Sequence, residues 1–348
     1  MVPPCDGCLK ITVTRPPSEG AADETPRTFR PTGRDAKFQA SPIAHHPPRP
    51  LLRLHAVSRL ALAALCTVAC RAGAERDAKP RVVVVSKQIN EFLYAIGAQD
   101  VIVARDLTSV YPNEITKLPS VGYHRALSAE GIVSVRPTLV LTDGNVGPPP
   151  VLEQIRSVGI PVLDMRPGST PDSAQLLLAA LGERFGRRAT ADSVLAAWRE
   201  GMARVVRDSA EFARLGKQPR VLVMHFGQLA NNYLAVNRGG AADRVLSWAG
   251  GVNAVDSIGG MTRLTPELIA RAAPDVILAT DVGFDRVGSA GKFAALPGVA
   301  LTPAAKSGRI FRVDESEIMY FGPRTPAAVA RIAGLLYENE AGVKRPPR

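Results

Sequence analysis

The sequence predicts an α/β protein of two Rossmann-like lobes, each built on a parallel sheet, joined by a long helix. Three observations predict it. Short apolar runs without alternation recur between helical patterns, as strands buried on both faces of a parallel sheet require. A helical pattern of about 25 residues interrupts them mid-chain; at 1.5 Å per residue it spans about 37 Å, enough to bridge two lobes. A block from the first half recurs in the second, which indicates two related units.

The elements follow in order. Residues 1–80 hold 11 of the 29 prolines, three of the five histidines and all four cysteines, a composition that cannot bury enough apolar surface to fold. Residues 1–50 are read as a disordered extension or a mis-assigned start. Over 51–70, "RLHAVSRLALAALCTVAC" places Arg53 and Arg59 before an apolar run that is too short to span a bilayer. This is the layout of a secretory signal ending in a lipobox-like Thr67-Val68-Ala69-Cys70, with Cys70 as the lipidation site; an ordinary cleaved signal is the simpler alternative. Residues 71–80 form a linker.

The amino-terminal lobe is expected over 81–166. "RVVVVS" (81–86), "VIVARD" (101–106), "PTLVLTD" (137–143) and "IPVLDM" (160–165) read as strands, with helical spacing between them. Residues 167–218 are expected to be a helical linker, with Thr170 and Thr190 as N-caps. The carboxy-terminal lobe follows over 219–345, with strands "RVLVMH", "PDVILATD" and "RIFRVD" and a closing helix from "TPAAVARI". The repeat pairs "LSAEGIVSVRPTLVLTD" (127–143) with "LTPELIARAAPDVILATD" (264–281). Both place a glutamate seven residues before a proline, at Glu130 and Glu267.

The formal net charge of +11 is spread thinly, with 12 basic against 7 acidic residues over 1–80 and 31 against 25 beyond. Nucleic-acid proteins concentrate such charge into a patch or stripe, so no nucleic-acid partner is expected. Phosphate-binding, nucleophile-elbow and metalloprotease motifs are missing, and no convincing dinucleotide fingerprint appears. Beyond the leader only His124 and His225 remain, too few for a three-imidazole metal site. A secreted two-lobed protein without catalytic motifs is expected to bind a solute in a cleft between its lobes.

The run "TSVYPNEITKLPSVGYHRALSAEGIVSVRPTLVLTDGNVGPPPVLEQIRSVGIPVL" resembles the amino-terminal lobe of bacterial periplasmic hemin-binding proteins. These are the substrate-binding components of heme-uptake ABC transporters, in the helical-backbone class shared with vitamin B12 and ferric-siderophore receptors. "AADRVLSWAGGVNAV", "LTPELIARAAPDVIL", "LPGVALTPAAKSGRI" and "FGPRTPAAVARI" extend the resemblance over about 81–340. Its most specific piece is "VGY-x-R-x-LSAEG".

The resemblance implies heme b as the transported ligand and Tyr123 as its iron ligand. A phenolate suits ferric iron, and Arg125 would favour the ionised form. His225 ends the first strand of the second lobe, one position before the place where some relatives carry a second ligand. Phe226 stands at that place, with its ring against the porphyrin face as the alternative to ligation by His225. His124 is read as a second ligand, a propionate contact or a solvated residue. In an extended segment neighbouring side chains point to opposite faces, so Tyr123 and His124 are not expected on one face of an iron. Tyr111, Tyr320 and Arg324 are further pocket candidates, Arg324 alternatively capping the last helix. Glu130 and Glu267 match the glutamates that dock such proteins on their permease. The implied partners are an ABC permease dimer with its ATPase, and a heme donor or outer-membrane receptor. The protein is expected to be a monomer that meets the membrane only through a lipid. Alternatives are a corrinoid or ferric-siderophore receptor and a secreted α/β enzyme built on His225.

Overall fold

The computed structural model describes residues 11–13, 79–166, 168, 170–215, 218–226 and 233–338. The expected signal segment, Cys70 and most of the expected extension and linker lie outside them. Within the extension, Ile11–Val13 forms a short strand, β1.

The first sheet contains β1 and four strands of the amino-terminal lobe, β2 (Val82–Val85), β3 (Ile102–Arg105), β4 (Leu139–Thr142) and β5 (Val162–Met165). Their order is β1-β5-β4-β2-β3. β2 to β5 pair in parallel, and β1 lies antiparallel on the edge of β5. The second sheet uses β6 (Arg220–Phe226), β7 (Tyr233–Val236), β8 (Val252–Asn253), β9 (Met261–Arg263), β10 (Val276–Thr280) and β11 (Ile310–Val313). Here β6, β10 and β11 are parallel, β8 joins the first residues of β6, and β7 and β9 run antiparallel on its edge. The two-lobed α/β fold is therefore as expected, with an antiparallel edge added to the second sheet. Its strands are short, and β9 is exposed to intermediate throughout, so neither carries a buried-strand signal.

Strand alternation distributes the core. Val82 and Val84 of β2, with Val221 and Val223 of β6, belong to one continuous cluster. That cluster passes through Leu177 and Leu181 of helix Pro171–Arg184 and Leu195 and Met202 of helix Arg188–Leu215. The opposite faces pack separately: Val83 and Val85 within the first lobe, Leu222 and Met224 within the second. Each sheet thus turns one face toward the bridging helices and the other toward its own, the two-sided burial that the unalternating runs require.

Helix Arg188–Leu215 has 28 residues and so measures about 42 Å. Thr170 caps its predecessor as expected, accepting from the Ser173 N–H in a capping box. Thr190 does not act as a cap. The Ala191 N–H already bonds the Arg187 carbonyl, at 2.9 Å, so the helix begins earlier and Thr190 falls in its first turn.

The repeat is reproduced in the backbone. Ser128 and Thr265 are N-caps, each accepting from the N–H three residues on, and Glu130 and Glu267 both sit at the second helical position. Among the described residues Arg136 and Ala273, with φ of 49° and 42°, are the non-glycine residues in the left-handed region, and each stands directly before its proline. That conformation costs a residue with a Cβ about 1–2 kcal/mol. Two helix–strand units sharing it at one position share a design.

Candidate functional site

The carboxyl ends of the parallel strands converge on the space between the lobes, where open α/β sheets bind ligands. Lys87 follows β2, Asp106 β3, Asp143 β4, His225 lies near the end of β6, Asp281 follows β10 and Glu315 follows β11. The two lobes meet here. Lys87 Nζ lies 3.0 Å from Glu315 Oε2 across the cleft. His225 of the second lobe feels the charges of Lys87 and Arg125 of the first. Tyr320 feels those of Asp143 and Asp106. Of these groups Lys87, Asp106, Asp143, Asp281 and Glu315 do not stand out in the sequence; their signal is that each stands within two residues of the end of a strand.

Tyr123 is presented by a segment whose backbone is tied on both sides. The Val121 N–H bonds the Arg105 carbonyl and the Gly122 carbonyl accepts from Leu107, at 2.8 and 2.7 Å. Gly122 has φ of 101°, a value that favours glycine. The chain then turns: the Ala126 N–H bonds the Tyr123 carbonyl, and Gly147 links to His124 and Leu127 through its own N–H and C=O. A Cβ at Gly147 would stand 2.8 Å from the Arg125 carbonyl oxygen, so glycine is what lets the two loops touch.

This turn overrides the extended geometry expected for Tyr123 and His124. Their rings lie side by side, with centroids 4.4 Å apart at 56°. His124 Nε2 is 3.4 Å from the Asn145 amide nitrogen, and Nδ1 is 3.9 Å from Asp106. Burial lowers the pKa of His124, against the opposing pull of Asp106. At that distance and with that desolvation the pair is weak, and burial favours the neutral imidazole. Asp106 is itself engaged by the Thr108 N–H and by the hydroxyls of Thr108 and Ser109.

His225 is half-buried and lies 3.3 Å from the Thr280 hydroxyl through Nδ1. Burial lowers its pKa too, and Lys87 and Arg125 add to this against Glu315 and Asp281. Of Phe226 only the backbone is described, paired with Tyr233. Tyr320 is kept protonated, its pKa raised first by burial and then by Glu315, Asp143 and Asp106. Glu130 and Glu267 are exposed at their helix starts.

Two pocket candidates belong to a different structure. The Arg324 guanidinium forks onto Glu91 of the first lobe at 2.7 and 3.0 Å and reaches Asp314 and Glu317 at 3.2 Å. It also lies 3.7 Å over the Tyr111 ring. Burial opposes its charge, but the hydrogen bond and charge of Glu91, then Asp314, outweigh it and raise the pKa. Arg324 is thus committed to an ion network between the lobes rather than free for a ligand carboxylate, and its side chain makes no helix cap.

Residues 82–317 match the model of the periplasmic binding protein family. The chain belongs to this family. Among solved structures it is similar to the periplasmic heme-binding protein RhuT from Roseiflexus sp. RS-1. Identity is 32%, over 75% of this chain and 99% of that one, with a TM-score of 0.69. It is similar also to the periplasmic heme-binding protein BhuT in complex with two hemes, at 31% over 74% and 98%, with a TM-score of 0.68. A cobalamin-binding protein of Halobacterium salinarum is 26% identical over 278 residues, 76% of this chain and 71% of that protein. As a periplasmic binding protein the chain is the extracytoplasmic substrate-binding part of an ABC transporter, whose partners are a permease and an ATPase. Among the described residues no helix is long and apolar enough to cross a membrane.

The histidines give this binding protein a pH signature. A histidine whose folded pKa lies below its unfolded value stabilises the fold above that value, about 6.5; the contribution is lost as pH falls through 6.5 toward the folded value. The midpoint of thermal unfolding is therefore expected to drop between pH 7.5 and 5.5. The drop should be smaller in His225→Gln, which calorimetry at the two pH values measures.

Proposed function

We propose that the protein captures heme outside the cytoplasm and delivers it to its permease, with no bond chemistry of its own. The observation that carries this is Tyr123, held in a turn pinned on both sides, with the exposed Arg125 two residues on in the same turn, on the lobe facing His225. Tyr123 binds the ferric iron. His225 is the candidate second ligand through Nε2, since Thr280 engages Nδ1, the second-shell arrangement common to metal-binding histidines. His124 packs against the tyrosine as a pocket wall. Similarity to RhuT and BhuT supports the ligand class.

Glu130 and Glu267, at equivalent positions of the two repeated units, are proposed to dock the lobes on the permease. Each such pair is weak alone and salt-sensitive, so two of them register the spacing of the lobes. Lipidation at Cys70, a monomeric state and delivery by a heme donor or outer-membrane receptor complete the reading.

A corrinoid receptor is the second reading, favoured by the similarity to a cobalamin-binding protein. Titration separates the two. The purified chain mixed with hemin should shift the Soret band and develop ferric-tyrosinate charge-transfer bands, and cobalamin should leave its own spectrum unchanged. Binding of cobalamin without hemin would overturn the heme reading.

A further inference from the structure

The ion pair between Lys87 and Glu315 is built against the local preference of one partner. Lys87 is the first residue of helix Lys87–Ala95, whose N-cap is Ser86. A cation there faces the positive end of the helix dipole, an unfavourable place for it. Glu315, the first residue of helix Glu315–Met319, sits where the dipole favours it, and its N–H bonds Asp281. The two side chains are 15% and 16% exposed. They are thus shielded enough to interact strongly, yet open to a molecule in the cleft.

Other carboxylates in the cleft already have donors. Asp106 accepts from Thr108 and Ser109, and Asp143 accepts from the Asn145 N–H. Asp281 accepts from Glu315. Lys87 lies within electrostatic reach of His124 on its own lobe and His225 on the other. A ligand lying between those histidines falls within the same electrostatic reach. An anion there would meet both the ammonium and the amino end of a nine-residue helix.

We propose that Glu315 is a resident counter-anion for Lys87, and that a ligand carboxylate takes its place, which makes this pair a selector for ligands bearing carboxylates. The proposal rests on the heme reading, since heme carries two propionates whereas the corrin periphery carries amides. It also gives the cleft a means of choosing between the two tetrapyrrole classes that is independent of the iron.

The test is a Soret titration with hemin and with hemin dimethyl ester, whose propionates are uncharged. Glu315→Gln releases Lys87 and should tighten hemin by about tenfold, the worth of one hydrogen bond to a charged group, while leaving the ester within twofold. Lys87→Gln should weaken hemin by a similar factor and spare the ester. In the double variant the gain from Glu315→Gln should vanish, which a folding defect would not reproduce. Equal responses of the two ligands in Lys87→Gln, or none, would mean that the pair is only a strut between lobes. If neither ligand shifts the Soret band with the unsubstituted protein, the heme reading fails and this proposal fails with it.

Discussion

Tyr123→Phe is expected to abolish the ferric-tyrosinate charge-transfer bands and to weaken hemin binding by more than about a hundredfold. Loss of a residue that merely supports a metal ligand already costs 10–100-fold, so loss of the ligand atom should exceed it. Phenylalanine keeps the ring against His124 and leaves the backbone ties of the turn untouched; the change isolates the oxygen. The other tyrosines read as candidates, Tyr320 and Tyr111, are poor substitutes. An ordinary phenol costs about 4 kcal/mol to ionise at pH 7, an amount a ferric ion offsets. Tyr320 costs more, because burial and three carboxylates oppose its phenolate. Tyr111 carries a guanidinium over its face and stands in the ion network. His124→Ala should retain the bands, and His225→Ala should change the coordination of the iron with a smaller loss of affinity. Bands that survive in Tyr123→Phe would place the ligand elsewhere.

What could be read from the sequence followed from how local the signal was. The buried strands, the long helix and the repeat rest on apolar spacing and capping residues, and each reappears in the backbone. The strands β7 and β9 escape such reading because four and three residues, partly exposed, carry no period. Tyr123 stands out by its neighbours, but its geometry does not. Whether "GYHR" is extended or turned depends on Gly147, more than twenty residues away and in contact with the Arg125 carbonyl. The cleft's charges are legible only in retrospect. A lysine after "VVVVS" or an aspartate after "LVLT" becomes a site residue because strands distant in sequence end side by side. Arg324 shows the limit most clearly: its partner Glu91 is 233 positions away, and no local pattern announces the pair.

Arg324→Ala is expected to destabilise the protein by about 3–5 kcal/mol, the range for breaking a buried ion pair by removing one partner. This corresponds to a fall of roughly 10 °C in the unfolding midpoint. Glu91 is only 7% exposed and receives both arms of the guanidinium. Without Arg324 its carboxylate is left buried beside Asp314 and Glu317, whose charges already oppose its ionisation. Burial pushes the Glu91 carboxyl up even with Arg324 in place; in the variant the folded pKa should climb further. A carboxyl whose folded pKa exceeds its unfolded value imposes its full penalty above the folded pKa. The penalty shrinks as pH falls toward the unfolded value near 4.3. The deficit of Arg324→Ala should therefore be large at pH 7.5 and smaller at pH 5, opposite in direction to the histidine effect. Adding Glu91→Gln to Arg324→Ala should recover much of the stability at pH 7.5, because the amide needs no counter-charge. Chemical denaturation at both pH values distinguishes this from simple loss of packing around Tyr111, which neither the pH change nor Glu91→Gln would repair. Because Glu91 lies one helical turn from Lys87, the same helix face carries both the fixed and the exchangeable link between the lobes. Only the exchangeable one, Lys87 with Glu315, should respond to the ligand.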